Sequence, residues 1–256
     1  MQTHSPATEI GRTQMDTFRR LFLVAALAGL VSGVFITLVH QVSTTPIILA
    51  AEVYESAGST GDVVASADSS NAEAAPEGHD HEHGGEAWAP ADGWERSLAT
   101  AIADVLTGIG FSLLLVAAYR FRDGRMTWRT GLFWGLAGFV AIVAAPNLGL
   151  PPEVPGTEAA ALADRQAWWI ATAVLTSVGL ACLFLGRRAW LACVGLVLIV
   201  LPHAYGAPQP SEYASVAPEA LAHRFIVAAT IVGFLFWAVL GTTTGYLYGR
   251  VFKAQA

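Results

Sequence analysis

The chain has 256 residues, of which 54% are hydrophobic and only 13% are charged, and its formal net charge is −6. Soluble domains have an apolar share of about 45–50%, so this composition excludes that class and indicates a membrane protein. Lys253 is the single lysine and no phosphate-binding loop of the GxxxxGK[ST] type occurs, which excludes nucleotide hydrolysis by that route. The charge distribution predicts no nucleic-acid partner.

Six apolar stretches approach the length of about 20 residues that a helix needs to cross a hydrocarbon core. They cover residues 21–42, 98–119, 131–145, 168–185, 189–201 and 225–248. The third and fifth are short, and the count falls to five if the fifth is re-entrant. The predicted fold is an all-α polytopic helical bundle of six, alternatively five, spanning helices arranged as three hairpins. Residues 1–18 form a polar cytoplasmic tail and 19–256 the membrane domain.

Arginine placement predicts the orientation, because positive charges in short loops stay on the cytoplasmic side. With six spans, eleven of the 14 basic residues fall on one side, and only Arg96, Arg165 and Arg224 fall on the other. We therefore expect a multi-pass protein of a bacterial cytoplasmic membrane with its N-terminus inside. A cleaved export signal is the alternative for the first stretch, which exceeds the apolar core of about 7–15 residues that such signals have. Met15 is an alternative start.

The second and third hairpins share a sequence plan. Residues 146–152 (PNLGLPP) parallel 202–208 (PHAYGAP), and 161–165 (ALADR) parallel 220–224 (ALAHR), whereas the first hairpin matches more loosely. Repeats are a common basis of transporters, with the substrate site at the repeat interface. Chance similarity between alanine-rich helices is the alternative.

Candidate metal ligands fall at matched levels of this repeat. His40, Asn147 and His203 lie at the end of the first helix of each hairpin, and Glu95, Asp164 and His223 lie at the start of the second. Nitrogen and oxygen donors of this kind suit Co²⁺, Ni²⁺ or Zn²⁺, and we expect His40, His203 and His223 to form one site with nearby carboxylates. Asp104 is a further candidate, because a carboxylate inside a span normally faces a partner or an aqueous cavity. Polar interface contacts or ion pairs are the alternative role for all of them.

A low-complexity segment at 56–93 is predicted to be a disordered external loop, since it lacks the hydrophobicity to fold alone. It carries His79, His81 and His83, which alternate with two carboxylates. Three imidazoles on a flexible segment can gather a divalent cation without a preformed cavity. Metal capture is the predicted use, and a solvated polar tract is the alternative.

Several of these motifs resemble those of the CbtA family of predicted cobalt transporter subunits. The resemblance is carried by the histidine motif and its continuation at 79–90, by 94–96, by 106–111, by the proline-rich loop at 145–153, by 165–169 and by 201–208. It covers nearly the whole chain from residue 18. It implies cobalt uptake for cobalamin synthesis, five spans, and a small CbtB-like partner protein with one helix and its own histidine motif.

The favoured function is thus a permease subunit for uptake of a divalent transition metal, with Co²⁺ first and Ni²⁺ or Zn²⁺ as alternatives. We expect no enzymatic activity and no permanently bound cofactor. The expected partners are the metal ion, membrane lipid and the CbtB-like protein. The alternatives are a membrane haem or metal-binding protein, and an external metal sensor or scaffold that passes no ion.

Overall fold

The computed structural model describes residues 6–67, 90, 91, 93–120, 125–211 and 214–252, and within those ranges it contains helices but no strand. The first three helices are α1 (Pro6–Val42), α2 (Thr44–Ala67) and α3 (Trp94–Tyr119). The next run comprises α4 (Trp128–Phe139), a π-helical segment (Val140–Ala144) and α5 (Ala145–Asn147). The last three are α6 (Leu162–Leu185), α7 (Ala189–Tyr205) and α8 (Glu219–Phe252).

Five of the described helical runs are long and apolar enough to cross a membrane, and α7 is a shorter apolar helix of 17 residues. At 1.5 Å per residue α7 is about 25 Å long. It packs along α6, and Trp168 Nε1 near the start of α6 donates to the carbonyl of Pro202 near the end of α7 at 3.2 Å. Because the end of α7 lies beside Trp168, α7 runs alongside α6 from Trp168 onward. The prediction of a polytopic helical bundle is confirmed.

Two prolines set local breaks in the helices. Pro46 has no N–H for the carbonyl of Val42, so α1 ends at Val42 and α2 begins two residues later with the proline in its first turn. Pro146 would clash with the carbonyl four residues before it in a regular α-helix. The wider π-helical turn at Val140–Ala144 precedes it and accommodates its ring.

Glycine contacts decide which helices pair. The closest pairs are α1 with α3, α4 with α8, and α6 with α7. At each crossing a Cβ added to a glycine would meet the facing backbone, as at Gly29 and Gly108, Gly131 and Gly241, and Gly179 and Gly195. The second and third predicted hairpins therefore exchange partners, because close backbone approach in a membrane depends on small residues rather than on which helices are consecutive.

The start of α2 packs against the bundle, although the sequence does not suggest a helix here. Ile47 and Ala51 are buried in a cluster with Val154 and Ala217, and Arg96 of α3 pairs with Glu52 at 2.8 Å. From this anchored start α2 remains helical to Ala67, twelve residues into the segment predicted to be disordered. Residues 68–89 lie outside the described residues, so disorder there stays a prediction.

Two loops, 148–161 and 206–218, meet on the same side of the bundle as α2. Thr157 and Ser215 form an isolated antiparallel bridge between them. Glu158 N–H donates to the carbonyl of Ala214 at 2.9 Å, and Val216 N–H donates to the carbonyl of Gly156 at 3.3 Å. These bonds hold the connections of the second and third hairpins together.

Candidate metal site between α1 and α3

His40 of α1 and Asp104 of α3 face each other between the two helices, with His40 Nε2 3.8 Å from Asp104 Oδ1. The other carboxylate oxygen, Oδ2, accepts a hydrogen bond of 2.8 Å from Thr37 Oγ1. His40 Nδ1 lies 2.7 Å from Thr44 Oγ1. These four side chains form one polar cluster, which we call the His40–Asp104 site.

The glycine contact between α1 and α3 brings these side chains together. A Cβ added to Gly33 would lie 2.5 Å from the Cα of Val105, the residue that follows Asp104. Thr37 and His40 come four and seven residues after Gly33, so they share its helix face. The close approach of the backbones thus places two α1 side chains within reach of Asp104.

Polar contacts continue from the site toward the C-terminal end of α1 and the N-terminal end of α3. Gln41 Nε2 donates to Ser97 Oγ at 3.1 Å. Arg96 binds both carboxylate oxygens of Glu52, at 3.0 and 2.8 Å. The side chains of His40 and Asp104 are 28% and 18% exposed, so the site is partly open.

An imidazole nitrogen and a carboxylate oxygen on neighbouring helices can supply two ligands of a divalent ion. Such an ion binds each of these atoms at about 2.0–2.2 Å, and in tetrahedral geometry the two ligand atoms are then about 3.4 Å apart. The distance of 3.8 Å between His40 Nε2 and Asp104 Oδ1 is a few tenths of an ångström longer than that. A small side-chain movement therefore suffices, with water or hydroxyl oxygens completing the coordination.

His203 and Asn147 lie away from this site, on helices that pair elsewhere. The ring of His203 packs edge-on against Trp168, with 5.8 Å between ring centroids, and its Nε2 is buried without a hydrogen-bond partner in the described chain. Asn147 Nδ2 donates to Thr230 Oγ1 of α8 at 3.4 Å. Asn147 of the second predicted hairpin thus contacts α8 of the third, and His203 of the third contacts α6 of the second.

Glu95, Asp164 and His223 are exposed at the starts of α3, α6 and α8. The main-chain N–H of Ala91 donates to Glu95 Oε2 at 3.2 Å. The described residues contain no group of three or more His, Cys, Asp or Glu able to hold one ion. The expected shared site of His40, His203 and His223 is thus not assembled, because α1 packs with α3 whereas α7 packs with α6.

The arginines that directly follow Glu95 and Asp164 in the sequence each bind a glutamate elsewhere in the chain. Arg165 binds Glu153 at 2.8 Å, and Arg96 binds Glu52 at the same distance. Glu52 lies six residues after Pro46, and Glu153 lies seven residues after Pro146. The first and second hairpins thus share an ion pair that the repeat in the sequence does not reveal.

A family model described as "Probable cobalt transporter subunit (CbtA)" matches residues 18–249. The chain belongs to the CbtA family. No curated protein and no solved structure matches it. The resemblance predicted from the loop motifs is confirmed, and the helices agree with a multi-pass membrane protein of a transporter-subunit family.

The region that matches the CbtA family includes both His40 and Asp104, and also the histidine motif at 79–83. His79, His81 and His83 lie outside the described residues. Metal capture by this motif stays a prediction.

Two residues of the His40–Asp104 site, Thr37 and Thr44, are not singled out by the sequence reasoning. Thr37 lies three residues before His40 on α1, and Thr44 lies four residues after it at the start of α2, so both remain close to the ring in sequence. A search for hydroxyl side chains at helical spacing around each candidate imidazole would find both.

Proposed function

We propose that this CbtA-family chain is a permease subunit through which a divalent transition metal, cobalt first, enters the cell to support cobalamin synthesis. The observation that carries the proposal is the contact between His40 and Asp104 on separate apolar helices. An ionisable carboxylate within a span is costly and is typical of ion pathways. Its nitrogen partner completes a donor pair that suits Co²⁺, Ni²⁺ and Zn²⁺.

The placement of basic residues supports a site that opens to the outside of the cytoplasmic membrane. Near the ends of the candidate spans that lie far from the site, or in the connections next to them, stand Arg19, Arg20, Arg120, Arg125, Arg129, Arg187, Arg188 and Arg250. Positive charge stays on the cytoplasmic side, so both termini lie inside and the histidine loop lies outside. At a membrane potential of about 100 mV, inside negative, the entry of a divalent cation releases roughly 4.6 kcal/mol of free energy. Uptake therefore needs no nucleotide site.

Close packing on the inner side of the site supports alternating access. A Cβ added to Gly108 would lie 2.7 Å from the carbonyl oxygen of Gly29, so no ion fits between α1 and α3 at that level. Beside it, Ile36, Leu115 and Leu240 are buried in an apolar core. Inward passage therefore requires α1 and α3 to shift relative to each other.

The contacts of α4 to α8 support an internal repeat with two-fold character. Exchanging the second and third hairpins maps α4 onto α7 and α6 onto α8, so the α4–α8 pair becomes the α7–α6 pair. The two connections that match in sequence also meet each other, at the bridge between Thr157 and Ser215. Paired repeats of this kind are a common frame for alternating access.

The term "subunit" in the family description supports a partner chain. We assign that role to a small CbtB-like protein with one spanning helix and a histidine motif. His79, His81 and His83 then collect the ion outside, and the His40–Asp104 site receives it.

Uptake of radioactive cobalt tests the proposal in cells that lack their own cobalt importers. At limiting cobalt, cells that carry the chain and its partner should accumulate the ion, and an ionophore that collapses the membrane potential should abolish the difference. Excess Ni²⁺ or Zn²⁺ should compete if the site is as unselective as its donors suggest. Equal accumulation with and without the chain contradicts the proposal.

A further inference from the structure

Thr44 occupies a special place beside the His40–Asp104 site. It is only 4% exposed and is the first residue of α2, immediately after the break that Pro46 causes. Its hydroxyl lies 2.7 Å from His40 Nδ1, the ring nitrogen that faces away from Asp104. The helix break and burial together fix the hydroxyl against the ring.

The partner of this hydroxyl differs from those of two serine hydroxyls nearby. Ser32 of α1 and Ser43, which directly follows α1, each donate to the carbonyl oxygen four residues earlier, at 2.7 and 2.6 Å. That local bond is the usual partner of a hydroxyl on a helix. The Thr44 hydroxyl contacts an imidazole nitrogen instead, so its bond serves a side chain of the site.

The two ring nitrogens of His40 face partners with different capacities. Asp104, when ionised, can only accept a hydrogen bond, whereas a threonine hydroxyl can donate or accept. Without metal, the favourable arrangement therefore has the ring proton on Nε2, facing Asp104, and the Thr44 hydroxyl donating to Nδ1. A metal ion on Nε2 requires a lone pair there, so the single ring proton must then be on Nδ1.

We propose that Thr44 is a positioning residue that allows His40 to change tautomer when the ion binds. In the loaded site the Nδ1–H donates to Thr44 Oγ1, and the hydroxyl turns its own proton away. The neutral ring carries one proton before and after loading, which it loses at Nε2 and regains at Nδ1 by exchange with water. This inference rests on the proposed function, since it assumes that His40 binds the ion through Nε2.

Three variants separate this role from simple packing. Thr44→Val keeps the shape of the side chain but removes the acceptor of the Nδ1–H in the loaded site, and Thr44→Ser restores the hydroxyl. Loss of such an outer-shell partner typically lowers metal affinity about 10- to 100-fold. Thr100→Val is the matched control, because the Thr100 hydroxyl donates to the carbonyl of Arg96 at 2.9 Å.

The measurement is ¹⁵N NMR of the full chain with labelled histidine, in lipid nanodiscs, titrated with Zn²⁺ as a diamagnetic probe. The His40 signals are assigned by their loss in His40→Asn. In the wild-type chain the ring proton should move from Nε2 to Nδ1 on loading. Thr44→Val should bind Zn²⁺ at His40 about 10- to 100-fold more weakly, whereas Thr44→Ser and Thr100→Val should match the wild type.

Two results overturn the positioning role of Thr44 while leaving the His40–Asp104 site intact. These are wild-type affinity in Thr44→Val, and coordination of Zn²⁺ through Nδ1. A third result, in which the wild-type His40 signals do not respond to Zn²⁺ at all, removes the proposed ion site together with the role of Thr44.

Discussion

Gly29 of α1 and Gly108 of α3 meet backbone to backbone, since a Cβ added to Gly108 would lie 2.7 Å from the Gly29 carbonyl oxygen. Real Cβ atoms do not approach that closely, so Gly108→Ala must push the helices apart. We expect it to lower stability by about 1–3 kcal/mol, as overpacking commonly does. We also expect weaker Co²⁺ binding, because Asp104 lies one helical turn away.

Gly110→Ala is the matched control for this substitution. It lies on the same helix, and an added Cβ would meet nothing within 4 Å. Alanine in a helix is favoured over glycine by roughly 0.5–1 kcal/mol, so this variant should be as stable as the wild type or more so. Thermal unfolding in detergent and Co²⁺ titration compare the two. Equal behaviour of the two variants would show that α1 and α3 do not meet closely at Gly108.

Asp104→Asn should abolish most cobalt transport while the protein stays inserted. The amide keeps the size of the carboxylate and an oxygen to accept the bond from Thr37, but it removes the negative charge that pairs with a cation. We expect initial uptake to fall about tenfold or more at every cobalt concentration. Glu158→Gln, at an exposed loop residue, is the control. Wild-type uptake by Asp104→Asn at wild-type membrane levels would remove Asp104 from the pathway.

The sequence predicts the spans well, because their lengths, their apolar composition and the flanking arginines are local properties. It also singles out His40 and Asp104 separately. Their contact depends on the register between α1 and α3, which the contacts of Gly29 and Gly33 set over a separation of more than seventy residues. No local pattern encodes that register.

The helix pairs that the three-hairpin prediction gave incorrectly have a different cause. The three-hairpin prediction places α6 and α7 in different hairpins, yet the short connection between them makes them neighbours, whereas the longer connections, 148–161 and 206–218, do not specify a partner. The expectation that His40, His203 and His223 meet rested on their matched levels in the sequence repeat, which does not specify how the hairpins pack against one another. The glycines of α4 and α8 instead join these two helices, and His203 remains beside α6.

The histidine loop should matter only when the ion is scarce. Replacing His79, His81 and His83 by alanine removes the imidazoles of this loop but leaves the His40–Asp104 site unchanged. We therefore expect uptake to fall at limiting cobalt and to recover at high cobalt, as an increased KM with an unchanged maximal rate. Uptake over a range of cobalt concentrations measures this, with Ser69→Ala, Ser70→Ala and Asn71→Ala combined as the control. Loss at every concentration would favour the sensor or scaffold alternative.

His203 offers a second, independent test of the pathway. Its Nε2 is buried without a partner in the described chain, an arrangement that is costly unless water or an ion binds there. It also follows Pro202, whose carbonyl accepts from Trp168 Nε1 at 3.2 Å. We therefore propose that His203 is a further ion ligand near the end of α7, separate from the His40–Asp104 site.

His203→Phe distinguishes a ligand from a packing residue, because phenylalanine can keep the edge-on contact with Trp168 but has no nitrogen. We expect this variant to lose cobalt transport at all concentrations while remaining inserted and abundant, since excess ion cannot replace a missing ligand along the path. Tyr205→Phe is the control, as Tyr205 is 87% exposed near the end of the same helix. Uptake is divided by membrane level from immunoblots. Wild-type uptake by His203→Phe would show that His203 only packs against α6, and would leave the His40–Asp104 site as the sole candidate within the described chain.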